Sequence, residues 1–217
     1  MIAHRGASFD RPENTLPAFE RAIELGADFV EFDVHADANG RLVVTHDPPS
    51  NTVLLGLPRL EEVLELCRGR IGVMVELKTP YRYRRFDVIR RTLDLLDDDA
   101  VVLCFQRPPL EEVRRRRPAI RTMQHVGFGV PVRGAAGAWA AGFRNDRVTP
   151  RGLEAARRLG LETAVYTVND PARVDELYAL GVTGIFTDRP DLALARRSLA
   201  RPDPARPESV PPPHPPG

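Results

Sequence analysis

Strand-like and helix-like patterns alternate eight times along these 217 residues, and several of the apolar runs end on ionisable side chains. Together these two observations predict an α/β fold, a closed (β/α)8 TIM barrel with its reacting groups at one mouth. The runs are Ile2-Ala3-His4, Phe29-Val30-Glu31-Phe32-Asp33-Val34, Leu42-Val43-Val44-Thr45-His46 and Val73-Met74-Val75-Glu76-Leu77-Lys78. Apolar runs this short read as buried strands of a parallel sheet.

The elements follow in order. After Ile2–His4 a helix is expected over about 15–25, with Leu16, Phe19, Ala22 and Ile23 on one face, Asn14 or Thr15 as its cap and Gly26 as its end. The strand 29–34 is followed by a turn at Asp37-Ala38-Asn39-Gly40 and a hairpin strand over 41–45. Helix and strand then alternate as 60–67 and 73–77, 85–96 and 101–105, 110–116 and 120–125, a weak Ala/Gly-rich helix at 135–141 and 143–148, 151–159 and 163–168, and 172–180 and 184–187. A last helix starts near Leu192. The hairpin strand is extra to the eight. No Gly-rich dinucleotide turn follows the first strand, which disfavours a doubly wound open sheet. Residues 1–200 form the predicted barrel; from Arg201 onward 8 of 17 residues are proline, and 201–217 reads as a disordered tail.

The composition, 42% hydrophobic and 28% charged, is that of a soluble domain. A net charge of +1 gives no long-range field toward nucleic acid, and the run Arg114 to Arg117 suits the end of a helix. No apolar stretch approaches the ~18 residues of a membrane span, so no stable membrane insertion is expected. A strand beginning at Ile2 leaves no room for a leader, which points to the cytoplasm. Cys67 and Cys104 fall within predicted core elements and read as reduced. Lys78 is the single lysine among 31 basic residues, which reads either as a position that needs a compact ammonium or as chance.

Side chains two apart on a strand share a face, so Glu31 points with Asp33, and Glu76 with Lys78 on the neighbouring strand. Three carboxylates at one mouth repel unless a cation neutralises them, and an all-oxygen set suits Mg²⁺ or Ca²⁺ better than Zn²⁺. Arg5 and Lys78 add an anion clamp of phosphate size. Cleaving a phosphodiester requires one group to take a proton from the nucleophile and another to protonate the leaving alkoxide, and His4 and His46 are the two candidates. His35 is expected on the rim, His125 either in the core or at the site, and Asp188 as a cap of the last βα loop. Tyr166 and Asn169 are candidates for substrate contact.

The residues His4-Arg5-Gly6-Ala7-Ser8, Pro12-Glu13-Asn14-Thr15, Gly26-Ala27-Asp28, Glu31-Phe32-Asp33-Val34, His46-Asp47, Glu76-Leu77-Lys78, Tyr166-Thr167-Val168-Asn169-Asp170 and 181–190 resemble the glycerophosphodiester phosphodiesterases, over Ile2 to about Arg196. The resemblance implies a TIM barrel that hydrolyses glycerophosphodiesters to sn-glycerol 3-phosphate and an alcohol. It implies His4 and His46 as acid and base, Glu31, Asp33 and Glu76 on Mg²⁺ or Ca²⁺, Arg5 and Lys78 near the phosphate, and Glu13 and Asn14 holding the first loop. Three features depart from the family pattern. Only twelve residues separate Asp47 from Leu60, where a cap insertion is usual; Tyr166 stands for a tryptophan; Asp37 and Asn39 stand for Thr and Asp. An uncapped mouth would also admit a lysophospholipid, with Phe128, Val130 and Trp139 as candidate groove residues. A barrel that binds phosphodiesters without turning them over is a third reading.

Overall fold

The computed structural model describes residues 1–49, 56–127 and 129–200, with side chains through residue 196. The tail expected over 201–217 and the groove candidate Phe128 lie outside the described residues.

The strands are β1 (Ile2–His4), β2 (Phe29–Ala36), β3 (Leu42–Val44), β4 (Gly72–Leu77), β5 (Val101–Cys104), β6 (Arg121–His125), β7 (Ala140–Arg144), β8 (Glu162–Tyr166) and β9 (Gly184–Thr187). The helices are α1 (Leu16–Leu25), α2 (Leu60–Cys67), α3 (Val88–Leu95), α4 (Arg107–Arg116), α5 (Pro150–Arg158), α6 (Pro171–Ala179) and α7 (Pro190–Ala200). All strands but β3 pair in parallel, and β1 pairs with both β9 and β2, which closes the eight-stranded barrel. No helix among the described residues is long and apolar enough to cross a membrane.

The geometry of β2 decides where the site forms. β1 stops at His4, opposite Glu31, whereas β2 runs on to Ala36. Its freed edge is taken by β3, which pairs antiparallel with Val34, His35 and Ala36. The turn between them is held by Asp37, whose Oδ1 accepts from the backbone of Asn39 and Arg41 at 2.8 Å each. Gly40 sits there at φ 80°, and a Cβ would fall 2.5 Å from the Phe86 ring.

Alternation along β2 divides its side chains between two environments. Val30, Phe32 and Val34 join the layer between sheet and helices, where Phe19 of α1 meets Phe32 edge-on at 5.6 Å. The inward side chains reach the mouth as Glu31 and Asp33. Below them the barrel is filled by apolar residues, among them Ile2, Met74, Leu103, Met123 and Phe186.

Two stretches differ from expectation. The helix expected over 135–141 is a single 3-10 turn, Val132–Ala135, and β7 starts at Ala140 rather than Phe143. Gly134 and Gly137 weaken a helix there, and Ala140 and Ala141 are drawn into the ladder by pairing with Met123 and Gln124. The helix expected over 85–96 is preceded by a 3-10 stretch, Pro80–Phe86, and begins at Val88 after the Asp87 cap.

Candidate active site

Glu31, Asp33 and Glu76 converge at the mouth. Each offers a carboxylate oxygen, all within 4.8 Å of one another, and all three residues are buried. Glu31 and Asp33 are two apart on β2, and Asp33 stands opposite Glu76 in the β2–β4 register. Lys78 Nζ lies 2.8 Å from Glu76 Oε1 and 3.0 Å from Asp33 Oδ1. Arg5 Nε lies 3.2 Å from Asp33 Oδ2, its Nη1 donates to both oxygens of Glu13, and its backbone N–H donates to Glu31 Oε2. Arg5 takes φ 57°, a region costly for a non-glycine residue; Gly6 follows it at φ 85°, where a Cβ would meet the Ala18 backbone at 2.7 Å. Asn14 completes the loop: its amide donates to Asp33 Oδ2 at 3.0 Å and its backbone N–H to Arg5 O. Glu13 and Asn14 thus hold the first loop, as the resemblance implies.

Three buried acids face only two cations, and the balance appears in their ionisation. Burial, with Asp33 and Glu76 close by, pushes the Glu31 carboxyl well above its ordinary range. Burial and Asp33 push Glu76 up to about 7 against the pull of Lys78. For Asp33 the penalty of burial is outweighed by Lys78, Arg5 and the Asn14 amide, which hold its carboxyl below the usual value. Burial would lower the Lys78 ammonium, but Glu76 and Asp33 hold it above its ordinary range. The uncompensated negative charge and the all-oxygen donor set fit a hard divalent cation.

Beside Glu31, its register partner on β2, His4 Nδ1 lies 2.7 Å from Asp188 Oδ1. Ser8 Oγ donates to the same oxygen, and Asn169 Nδ2 donates to Asp188 Oδ2 at 2.7 Å. Asn169 Oδ1 in turn accepts from Thr187 Oγ1 and Asp188 N. Burial would raise the Asp188 carboxyl, yet the hydrogen bonds from His4 and Asn169 bring it down to about 2. Asp188 is therefore an anion fixed against His4, not the loop cap expected from its position before a helix, and Asn169 serves Asp188. Nothing local in the sequence pairs residues 4 and 188; only the adjacency of the first and last strands in a closed barrel could have done so.

His46 stands at the end of the hairpin, its side chain 41% exposed, with Nδ1 2.9 Å from Asp47 Oδ1. Two tethers fix its backbone: Thr45 N donates to Asp33 O at 3.0 Å, and His46 O lies 3.2 Å from His35 Nε2. His35 is buried rather than at the rim, because β3 and Tyr83 cover it, and its Nδ1 lies 2.9 Å from Tyr83 OH. Burial lowers its basicity.

An aromatic wall closes the side of the mouth opposite β1. Tyr166 packs against His125 at 4.4 Å and Phe105 at 5.8 Å, and its hydroxyl is buried with no hydrogen-bond partner among the described residues. Burial, with Glu76 near, pushes that phenol up to about 12. His125 is a core residue: burial and the charge of Lys78 bring it down to about 3, so it stays neutral. Lys78 Nζ lies 5.9 Å from the Phe105 ring centroid. Trp139, a groove candidate from sequence, belongs to the other end of the barrel. It lines a cavity of about 600 Å³ among the first residues of the strands, stacked under Arg121 at 4.7 Å.

Comparison with known proteins places the fold and the family. A family model described as the glycerophosphoryl diester phosphodiesterase family matches residues 4–78 and 50–192. A glycerophosphodiester phosphodiesterase of Bacillus altitudinis is 29% identical over 242 residues, spanning 91% of this chain and 97% of that protein. The crystal structure of a glycerophosphodiester phosphodiesterase from Parabacteroides distasonis superposes with a TM-score of 0.80 at 26% identity, covering 92% of this chain and 97% of the other. A phosphodiesterase of Oleispira antarctica, solved with the product sn-glycerol-3-phosphate, shares the fold at a TM-score of 0.81 and 20% identity, over 91% of this chain and 96% of that one. With the family model covering nearly all of the barrel, the chain belongs to the glycerophosphoryl diester phosphodiesterase family.

Proposed function

We propose that the chain hydrolyses glycerophosphodiesters to sn-glycerol 3-phosphate and an alcohol, with Glu31, Asp33 and Glu76 holding Mg²⁺ or Ca²⁺ and with His4 and His46 as the acid–base pair. Membership of the family makes the chain a glycerophosphodiester phosphodiesterase; the residue roles are the step taken here. The observation that carries them is the set of three buried carboxylates within 4.8 Å of one another, flanked by Lys78 and Arg5. When bound, the ion supplies charge against the phosphoryl oxygens.

The protein's own groups divide the remaining work. Arg5 offers a planar guanidinium and Lys78 a compact ammonium to the non-bridging oxygens of the phosphate. His4 is engaged at Nδ1 by Asp188, which leaves Nε2 to exchange a proton with the substrate. The Asp188 anion stabilises the imidazolium that forms when His4 takes that proton. His46 stands on the hairpin with an exposed ring and supplies the second transfer, so that one histidine deprotonates the nucleophile and the other protonates the leaving alcohol.

Turnover of glycerophosphocholine tests the assignment. His46→Ala lowers kcat by about two decades or more with an unchanged circular dichroism spectrum. Excess chelator abolishes activity, and Mg²⁺ or Ca²⁺ restores it. Near wild-type turnover in the variant removes His46 from the chemistry, and full activity in chelator ends the metal assignment.

A further inference from the structure

Beside the mouth, between the start of α4 and the segment after β6, runs a groove of about 670 Å³. Phe105, Pro108, Val130 and Pro131 give it apolar walls, and Arg107 and Arg133 stand on its edges. Phe105 is the residue that the groove shares with the catalytic centre, since its ring lies 5.9 Å from Lys78 Nζ and also lines the groove. An alcohol leaving a phosphate held at Lys78 therefore has this groove as its neighbour.

Two arginines give the groove its positive character, and one of them is offset. Arg133 is exposed and makes no ion pair among the described residues. Arg107 pairs with Glu111 at 2.8 Å, the one carboxylate that offsets it. An unpaired guanidinium above apolar walls favours a ligand with a short carbon body and an outer anion.

We infer that this groove is the leaving-group subsite and that it selects glycerophosphodiesters whose alcohol carries a second negative charge, with Arg133 as its specificity-determining residue. The inference rests on the proposed hydrolysis and adds the class of alcohol. A cationic alcohol such as choline meets Arg107 and Arg133 as like charges, and a neutral polyol gains only the apolar walls.

The test compares glycerophosphoinositol with glycerophosphoinositol 4-phosphate, which share one ring and differ by one phosphate, alongside glycerophosphocholine and lysophosphatidylcholine. In the wild-type protein at low salt, kcat/KM is expected to be about tenfold higher or more for the phosphorylated inositol, one charge-assisted contact being of that order. Arg133→Ala brings the two within about threefold by lowering kcat/KM for the phosphorylated inositol, Arg133→Glu reverses the order, and 0.5 M salt flattens the wild-type preference. Turnover with no such ratio, a ratio that Arg133→Ala leaves intact, or a preference for lysophosphatidylcholine over all three overturns the inference alone. Absence of turnover of all four substrates overturns the proposed hydrolysis and the inference with it.

Discussion

His4 Nδ1 and Asp188 Oδ1 are 2.7 Å apart although 184 residues separate them in sequence, and the contact exists because β9 closes the barrel against β1. A carboxylate on Nδ1 fixes the ring orientation and selects the tautomer that leaves Nε2 for proton transfer. Asp188→Asn keeps the shape and removes the anion. We expect kcat to fall about 10- to 100-fold with KM within about threefold, since orientation and imidazolium stabilisation are lost and substrate binding is not. Equal loss in kcat and gain in KM would give Asp188 a binding role instead.

The same residue makes a pH-dependent contribution to stability. An unfolded aspartate titrates near ~3.9, whereas the hydrogen bonds from His4, Asn169 and Ser8 outweigh burial and hold Asp188 at about 2. Because the folded value is depressed, the contribution is complete above the unfolded value and is lost as the pH falls through the folded one. The difference in Tm between the wild-type protein and Asp188→Asn should be constant from pH 6 to about 4 and shrink toward zero near 2. A gap that stays constant down to pH 2 would show that the carboxylate charge does not contribute.

His35 links the hairpin to the barrel. The His46 carbonyl can only accept, so His35 Nε2 carries the proton, and Nδ1 accepts from Tyr83 OH. Tyr83→Phe removes one neutral hydrogen bond and should cost about 1 kcal/mol in stability. His35→Ala also frees the His46 backbone and should lower kcat by about tenfold or more, while the circular dichroism spectrum stays native. Wild-type kcat in His35→Ala would mean that the Thr45–Asp33 backbone bond positions His46 by itself.

Much of this was legible in the sequence because it is local. The i, i+2 spacing of Glu31 and Asp33 and of Glu76 and Lys78 sets which side chains share a face, and the structure brings all four together. Thr15, Gly26 and the Asn39-Gly40 turn behave as their chemistry predicts. What was hidden depends on closure. Asp188 finds His4 only through the β1–β9 pairing, and His35 is buried only because β3 and Tyr83 fold over it. Trp139 reads as a groove residue from its apolarity, but its place before β7 puts it at the far end of the barrel. The short helix expected over 135–141 fails because Gly137 within it and Gly134 just before it outweigh its alanines.

The charge imbalance at the mouth predicts a stability effect that needs no substrate. Glu31, Asp33 and Glu76 are buried with only Lys78 and Arg5 to neutralise them, so a ligand cation that binds the folded state alone raises its stability. At a concentration about 100 times its Kd, such an ion contributes about 2.7 kcal/mol, which for a chain of this size is a rise in Tm of about 5 to 10 °C. Glu31→Gln removes one of the three charges and should abolish most of that rise. In chelator the same variant should melt at or above the wild-type temperature, because burying a neutral amide costs less than burying a carboxylate without its counter-ion. Differential scanning calorimetry with Mg²⁺, with Ca²⁺ and with chelator reads all of these shifts. Identical melting of the wild-type protein in the three conditions would leave the carboxylates as a salt-bridged cluster of Arg5 and Lys78 and nothing more.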